Sequence, residues 1–458
     1  MLKNLLKTAS TLATGAISGQ LVVLMVSPIL TRIYSPDAFG VFGGYVACLY
    51  ILGCVSALKY DVAIPLVKSS RQANSLIALA VFINVIFSVL IFFIIFCVLA
   101  LYPNKEYEFV LWALPLGLLL SGVYSVFMYY NLRLRKAGLI AKTRFIQSLS
   151  GAMAQVSLGY LMAGVSALVI GQIVSISAGG GRLMRASRLK NMRCYFSASL
   201  LWATARRYID FAKYNSPSAL LSVGNNHLPV ILIGGLFSPA AAGVYVIVHR
   251  ILITPLSIVS SSISSAILSF GADSSKMSFG RNVVLVFLCL SPLSVFAAVF
   301  GYHVFGYVFG AEWASGGQVV AWMMLFLSYK FMYDATFMLY AARNNLKEGL
   351  GTQIIVFVIR LGGLVVCSVF FDFDVSIFIF SISSSLTYLF LCFFGHAGRM
   401  FGFTGKDLLG LLADLVVAYV LIYFYIGSGV FSGFYLGVGV VSWWLMRILL
   451  VLRNGRGV

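Results

Sequence analysis

The sequence predicts an all-α integral membrane protein with about 14 transmembrane helices. Of its 458 residues, 61% are hydrophobic and 10% are charged, whereas charged residues make up about 25% of a soluble domain. The mean hydropathy is +0.99, and apolar runs of roughly 20 residues, enough to span a bilayer, recur along the chain. This composition excludes a soluble enzyme, a disordered chain and a nucleic-acid-binding domain. The long runs also argue against an outer-membrane barrel, whose strands alternate.

Fourteen apolar runs are candidates for the spans. The sixth is the weakest, because it is short and ends in the glycine triplet Gly179–Gly181. Without the last pair, twelve spans would remain. The candidates are residues 11–31, 40–59, 73–101, 109–130, 145–163, 166–181, 216–236, 243–270, 282–301, 317–342, 350–370, 375–397, 408–427 and 433–452.

The basic residues indicate how the spans are oriented. With a cytoplasmic N-terminus, 26 Lys and Arg fall on the inside, and only Arg32 and Lys105 fall in outside loops. This asymmetry follows the positive-inside rule, so we expect both termini to be cytoplasmic. The richest segment is the linker 182–213, with eight basic residues. The net charge of +19 therefore reflects topology and attraction to anionic membrane lipids, with no nucleic-acid partner required.

A short repeat divides the chain into two halves. The pattern Ser-Pro-x-Ala-x-Gly-Val occurs at residues 35–41 and again at residues 238–244. Each copy joins the first two spans of a half on the outside, which predicts two like-oriented lobes, a known transporter arrangement. We expect an N-lobe at 1–190, a C-lobe at 191–397 and helices 13 and 14 at 398–458. A chance match between two Ser-Pro helix starts is the alternative.

Four segments resemble one family of transporters. They are residues 28–36 (PILTRIYSP), 59–65 (KYDVAIP), 238–245 (SPAAAGVY) and 309–314 (FGAEWA). The family is the Wzx-type O-antigen or polysaccharide-unit flippase, within the multidrug/oligosaccharidyl-lipid/polysaccharide exporter superfamily. The resemblance implies a V-shaped pair of six-helix lobes plus two C-terminal helices.

The resemblance also implies a function. It is the movement of undecaprenyl-pyrophosphate-linked oligosaccharide from the cytoplasmic to the periplasmic leaflet of a bacterial inner membrane. The units would serve O-antigen, lipopolysaccharide, capsule or exopolysaccharide synthesis. A polysaccharide polymerase and its chain-length machinery are the partners that this role implies.

Ionisable residues inside the spans are the candidates for a binding site. A charge at mid-bilayer costs about 2.5–3.5 kcal/mol on insertion scales, so it is expected to face a cavity or a partner. Arg250, Lys330 and Arg360 lie near span middles in the second half and suit a pyrophosphate in a wet cleft. Arg32 and Lys59, at span edges, complete the predicted substrate-binding set. For each residue alone, snorkelling or structural pairing is the alternative.

Two further groups have both structural and functional interpretations. Lys330 and Asp334 are spaced i, i+4, so they lie on one helix face. Either they neutralise each other, or protonation of Asp334 releases Lys330 and couples transport to a proton gradient. His227 follows Asn225 and Asn226, and a packing role is the simpler interpretation for this histidine.

Other functional classes make different demands on the sequence. A cation-coupled small-molecule exporter would need acidic residues in the first-half spans, where only Asp37 and Asp61 occur, at the edges. A membrane glycosyl-polymerase or transferase would need a long outside loop with paired acids. No nucleotide-binding loop, metal-ligand spacing or cysteine pair is present, so we expect a transporter without catalytic residues, metal or cofactor. A structural scaffold for polysaccharide assembly remains open.

Overall fold

The structure is a computed structural model, and it describes most of the chain. The described residues are 2–103, 107–162, 164–187, 192–270, 301, 304–342, 346–394, 412, 415, 416, 419 and 420. All regular secondary structure within these residues is helical. The predicted span 282–301, except Gly301, and most of helices 13 and 14 lie outside the described residues.

Fourteen α-helices have defined bounds in the described residues. The first ten are α1 (Leu2–Ile33), α2 (Pro36–Gly53), α3 (Tyr60–Ala63), α4 (Ser70–Leu101), α5 (Glu108–Arg133), α6 (Ala137–Leu161), α7 (Val165–Ser177), α8 (Gly180–Ser187), α9 (Ala198–Arg207) and α10 (Ser216–Leu236). The last four are α11 (Pro239–Phe270), α12 (Gly316–Ala342), α13 (Leu346–Phe370) and α14 (Phe373–Phe394).

Eight helical segments of the described chain are long and apolar enough to cross a membrane. The chain is therefore a multi-pass, all-helical membrane protein, as the composition predicted. The full number of about 14 spans stays a prediction, because several lie outside the described residues. The eight segments are Ser10–Ile33, Pro36–Gly53, Ser70–Leu101, Glu108–Arg133, Val165–Ser187, Phe211–Leu236, Glu348–Phe370 and Phe373–Phe394.

Two predicted spans differ from the helices observed. The second helix ends at Gly53, six residues before the predicted end. Residues 54–59 form a turn, and within it Leu58 and Lys59 adopt positive φ angles of 45° and 58°. Such angles are incompatible with a continuing right-handed helix. The weak sixth span is a 13-residue helix, α7, which is followed by Gly179 at φ 83°. Glycine adopts that angle without strain, and the chain then continues as α8.

The two copies of the repeat have the same local structure. The Ser35 hydroxyl accepts a hydrogen bond from Ala38 N at 3.3 Å, and the Ser238 hydroxyl accepts one from Ala241 N at 3.1 Å. Both serines are therefore helix N-caps. Both are followed by proline in the first helical turn, where its missing N–H costs nothing.

The repeat copies also pack directly against each other. A Cβ atom at Gly40 would overlap the carbonyl oxygen of Pro239, and one at Gly243 would overlap that of Pro36. Each glycine is thus required by the close approach of the other copy's first turn. We call this contact the repeat crossing, and it explains why glycine recurs at the same position in both copies.

The chain divides into two compact units, Met1–Gly243 and Val244–Val458. In the first unit, α1 packs on α6, α4 packs on α5, and α10 packs on α2. In the second unit, α14 packs on both α12 and α13. The lobe boundaries drawn from the sequence stay a prediction.

The basic linker 182–213 offers a direct test of the predicted orientation. Cys194 lies within it and is exposed. In a variant with Cys194 as its only cysteine, we expect a membrane-impermeant maleimide to label the protein only after the inner membrane is permeabilised. Tyr102 is 76% exposed after α4, at the predicted outer end. A single-cysteine Tyr102→Cys variant is therefore expected to label without permeabilisation, and the reverse pattern would overturn the orientation.

Candidate functional site

Arg360, on α13, is enclosed by aromatic rings and hydroxyl groups. Its side chain is buried, with the residue 2% exposed. The guanidinium donates hydrogen bonds from Nε to Ser384 Oγ at 3.1 Å and from Nη1 to Tyr388 Oη at 3.0 Å. Its carbon Cζ lies 5.2 Å from the centroid of Phe326 and 5.0 Å from that of Phe380. These cation–π contacts and hydrogen bonds replace hydration that the buried charge has lost.

A stripe of small polar residues on α14 makes this arrangement possible. Ser376, Ser381, Ser384 and Ser385 are all buried, in a helix that packs against both α12 and α13. Small side chains at helix interfaces let neighbouring backbones approach closely. The approach places Ser384 and Tyr388, one helical turn apart, opposite Arg360. The sequence analysis missed these partners, although the serine periodicity was a usable signal.

Lys330 and Asp334 form an ion pair on α12. Lys330 Nζ donates a hydrogen bond to Asp334 Oδ2, and the two side chains are 13% and 42% exposed. The i, i+4 spacing predicted this pair. Both residues also lie near Tyr388, which accepts the hydrogen bond from Arg360. We call Lys330, Asp334, Arg360 and Tyr388 the Arg360 cluster.

Helix α11 reaches the same cluster through Tyr245. The ring of Tyr245 is completely buried, and its hydroxyl lies near Arg360 and Tyr388 without a hydrogen-bond partner among the described residues. Arg250 lies five positions further along α11 and is half-buried, so it is about 7.5 Å along the helix axis from Tyr245. The structure thus brings Lys330 and Arg360 together, whereas Arg250 lies about 140° around α11 from Tyr245 and is not placed in the cluster.

Arg32 and Lys59 lie in the first unit, at opposite ends of α2. Arg32 is exposed in the last turn of α1. Lys59 is half-buried at the start of α3. The 18 residues of α2 separate them by about 27 Å at 1.5 Å per residue. The structure therefore does not bring these two cations into one site.

A buried carboxylate that the sequence analysis placed at a span edge is Asp61. It is 5% exposed, and Ser125 Oγ donates a hydrogen bond to its Oδ2 at 2.6 Å. Its Oδ1 accepts a bond from Val62 N at 3.0 Å. The neighbouring Tyr60 donates to Ala205 O at 3.2 Å, and burial raises the pKa of its hydroxyl. Asp61 is thus a structured acid at the junction of α3 and α5.

Sequence comparison identifies one family. The profile of a family described as "Polysaccharide biosynthesis protein" matches residues 29–316, which is well over half of the chain. No curated protein sequence matches significantly.

Solved structures with a similar fold include a flippase and multidrug transporters. The lipid II flippase MurJ in an inward closed conformation has a TM-score of 0.72 at 13% identity, over 97% of this chain and 99% of that chain. A variant of the MATE transporter VcmN from Vibrio cholerae has a TM-score of 0.54 at 15% identity, over 87% and 98%. An inward-facing multidrug resistance MATE transporter of the MOP superfamily gives 0.55 at 14%, over 89% and 95%. At these identities the similarity shows the fold alone.

Proposed function

Because this chain belongs to the polysaccharide biosynthesis protein family, we propose that it flips undecaprenyl-pyrophosphate-linked oligosaccharide units across a bacterial inner membrane. The direction is from the cytoplasmic to the periplasmic leaflet, and the units serve O-antigen, capsule or exopolysaccharide synthesis. The observation that carries the proposal is the Arg360 cluster, in which a buried arginine and a largely buried lysine lie close together among apolar helices.

The chemistry of this cluster suits an anionic headgroup. A pyrophosphate that crosses the hydrocarbon layer loses its hydration, and fixed donors in the protein must replace it. Arg360 provides a planar guanidinium that can bind phosphate in a bidentate manner. Lys330 provides a flexible ammonium already balanced by Asp334, so it can exchange partners as the phosphate arrives.

The Lys330–Asp334 pair would let the proposed transport cycle draw energy from a proton gradient. Protonation of Asp334 would release Lys330, so transport would depend on pH. We expect Asp334→Asn to lose the dependence of transport on a proton gradient across the vesicle membrane, because the asparagine amide cannot take up and release a proton in exchange for Lys330. Glu348→Gln, an exposed acid in the first turn of α13, is the matched control. An Asp334→Asn protein with an unchanged rate and an unchanged response to the proton gradient would remove proton coupling through this residue.

One observation favours a second candidate, a cation-coupled exporter of small molecules. Such a transporter needs an acid that binds and releases the cation, and Asp61 is a buried acid in the first unit. Proton- or sodium-driven efflux of a cationic dye from vesicles, lost in Asp61→Asn, would support this alternative. Flipping of lipid-linked oligosaccharide without dye efflux would exclude it.

Deletion of the gene in its host tests the flippase proposal. We expect unpolymerised lipid-linked units to accumulate in the cytoplasmic leaflet, because the polymerase and chain-length machinery act on the other side. Complementation with Arg250→Ala is expected to restore less surface polysaccharide than wild type at equal protein level. An undiminished periplasmic pool of units in the deletion strain would overturn the proposal.

A further inference from the structure

The hydroxyl of Tyr245 is a buried polar group without a partner. Tyr245 lies in the second turn of α11 and is completely buried, and its Oη has no hydrogen-bond partner among the described residues. Its ring stacks on that of His249, one turn further along, with centroids 5.8 Å apart and planes inclined by 14°. The ring is thus held in place, while its hydroxyl has lost hydration without replacement. Because buried polar side chains are hydrogen-bonded in the large majority of cases, a partner from outside the chain is expected.

The sequence repeat shows that packing does not require this hydroxyl. Tyr245 directly follows Val244, the last residue of the second repeat copy, and Phe42 directly follows Val41, the last residue of the first copy. Phe42 is also buried, with 1% of its surface exposed. A phenyl ring therefore fills the corresponding position in the first unit. The hydroxyl of Tyr245 needs an explanation other than packing.

The groups around the hydroxyl favour an anion as the missing partner. The hydroxyl lies near Arg360 and Tyr388, and Arg360 Nη1 already donates to Tyr388 Oη at 3.0 Å. A guanidinium has only N–H donors, and a tyrosine hydroxyl also has a proton to donate. An oxyanion accepts hydrogen bonds from several such donors at once, and bonds to a charged acceptor are stronger than bonds to a neutral one. A phosphate oxygen has this chemistry.

We propose that the Tyr245 hydroxyl donates a hydrogen bond to a phosphate oxygen of the lipid-linked substrate beside Arg360, which rests on the proposed function. Both side chains are enclosed in the structure, so the phosphate enters when the helices around the cluster part. A transport cycle requires such an opening, because its binding site must face the two sides of the membrane in turn. Tyr245 then recognises the phosphate headgroup, whichever sugar follows it.

Lipid binding and thermal unfolding of Tyr245→Phe together test this proposal. The probes are undecaprenyl pyrophosphate and undecaprenol, which has the same chain without phosphate, each added to purified protein in detergent. We expect the variant to bind undecaprenyl pyrophosphate at least about tenfold more weakly, the range of a lost hydrogen bond to a charged group, and undecaprenol as wild type does. Without lipid, the variant is expected to melt at the same temperature as wild type or higher, because an unpartnered buried hydroxyl has been removed.

Tyr34→Phe is the matched control for a hydroxyl with a structural role. Tyr34 is also buried, but its hydroxyl donates to Gln155 O at 2.7 Å. We expect this variant to melt at a lower temperature, because the Gln155 carbonyl loses a partner, and to bind both probes as wild type does. If Tyr245→Phe behaves like Tyr34→Phe, its hydroxyl already has a partner, such as a buried water, and the proposal is overturned.

The remaining outcomes separate this proposal from the proposed function. Wild-type protein that does not bind undecaprenyl pyrophosphate would overturn the flippase proposal itself. Wild-type protein that binds it, with Tyr245→Phe unchanged or equally weakened for both probes, would overturn only the role of Tyr245. Inorganic pyrophosphate is a third probe, for the source of the phosphate. If Tyr245→Phe weakens its binding and leaves that of the lipid unchanged, the ligand is a free anion, which would contradict the proposal.

Discussion

Arg360→Met is expected to reduce transport of lipid-linked oligosaccharide about 30-fold or more, while the protein still folds. Truncating one member of a buried, charge-paired contact with the bound substrate costs about 2–5 kcal/mol, and 1.4 kcal/mol corresponds to a factor of ten. Methionine has a similar length, and its sulfur packs well on rings such as Phe326 and Phe380. The Ser384 and Tyr388 hydroxyls lose the guanidinium donor, which costs about 1–3 kcal/mol of stability, so the transport rate is compared at equal amounts of folded protein.

Two matched variants separate charge from geometry in this experiment. Arg360→Lys keeps the positive charge but loses the planar fork that bonds Ser384 and Tyr388 at once, so we expect an intermediate rate. Arg185→Met removes a cation that is exposed on α8 and is expected to leave the rate unchanged. The measurement is initial transport rate in vesicles, normalised to folded protein by size-exclusion chromatography. A wild-type rate in Arg360→Met would remove the cluster from the transport path.

Gly40→Ala is expected to lower the stability of the protein strongly. The added methyl group would overlap the carbonyl oxygen of Pro239, which is backbone and cannot rotate away. Overpacking of this kind costs about 1–3 kcal/mol and sometimes more. Thermal unfolding in detergent measures the effect, and Gly243→Ala is expected to behave alike because its methyl group meets Pro36 in the same crossing.

Gly44→Ala is the control for this stability experiment. It lies on the same helix, one turn further on, and its Cβ would have no heavy atom within 4 Å. We expect it to be neutral or stabilising by up to about 1 kcal/mol, because alanine favours helix. Gly40 and Gly243 lie in the same crossing, so a shift that makes room for one added methyl group also makes room for the other. The losses of stability from Gly40→Ala and Gly243→Ala are therefore not expected to add. Equal melting temperatures for Gly40→Ala and Gly44→Ala would contradict the account of the repeat.

The helical membrane architecture was predictable because bilayer thickness fixes the length of an apolar run. The predicted span 216–236 coincides with α10. Hydropathy could not locate the end of α2, since the residues after Gly53 are still apolar although residues 54–59 form a turn. The repeat was visible in the sequence. The contact between its two copies joins residues that are far apart in the chain, so no local sequence pattern predicts it.

The candidate site was predictable only where its contacts are local. Lys330 and Asp334 pair because i, i+4 spacing alone places them together. The partners of Arg360 come from α14, at Ser384 and Tyr388, and depend on how that helix is rotated against α13. Asp61 was placed at a span edge from the sequence, yet the fold buries it beside Ser125, because burial depends on packing as well as on position along the chain.

The most direct test of the flippase account uses purified protein in vesicles that contain a fluorescently labelled undecaprenyl-pyrophosphate oligosaccharide. A membrane-impermeant reductant bleaches only the label in the outer leaflet. We expect bleaching to approach completion with wild-type protein and to slow about 30-fold with Arg360→Met. Bleaching that stops at the outer-leaflet half with wild-type protein, as in protein-free vesicles, would contradict the account.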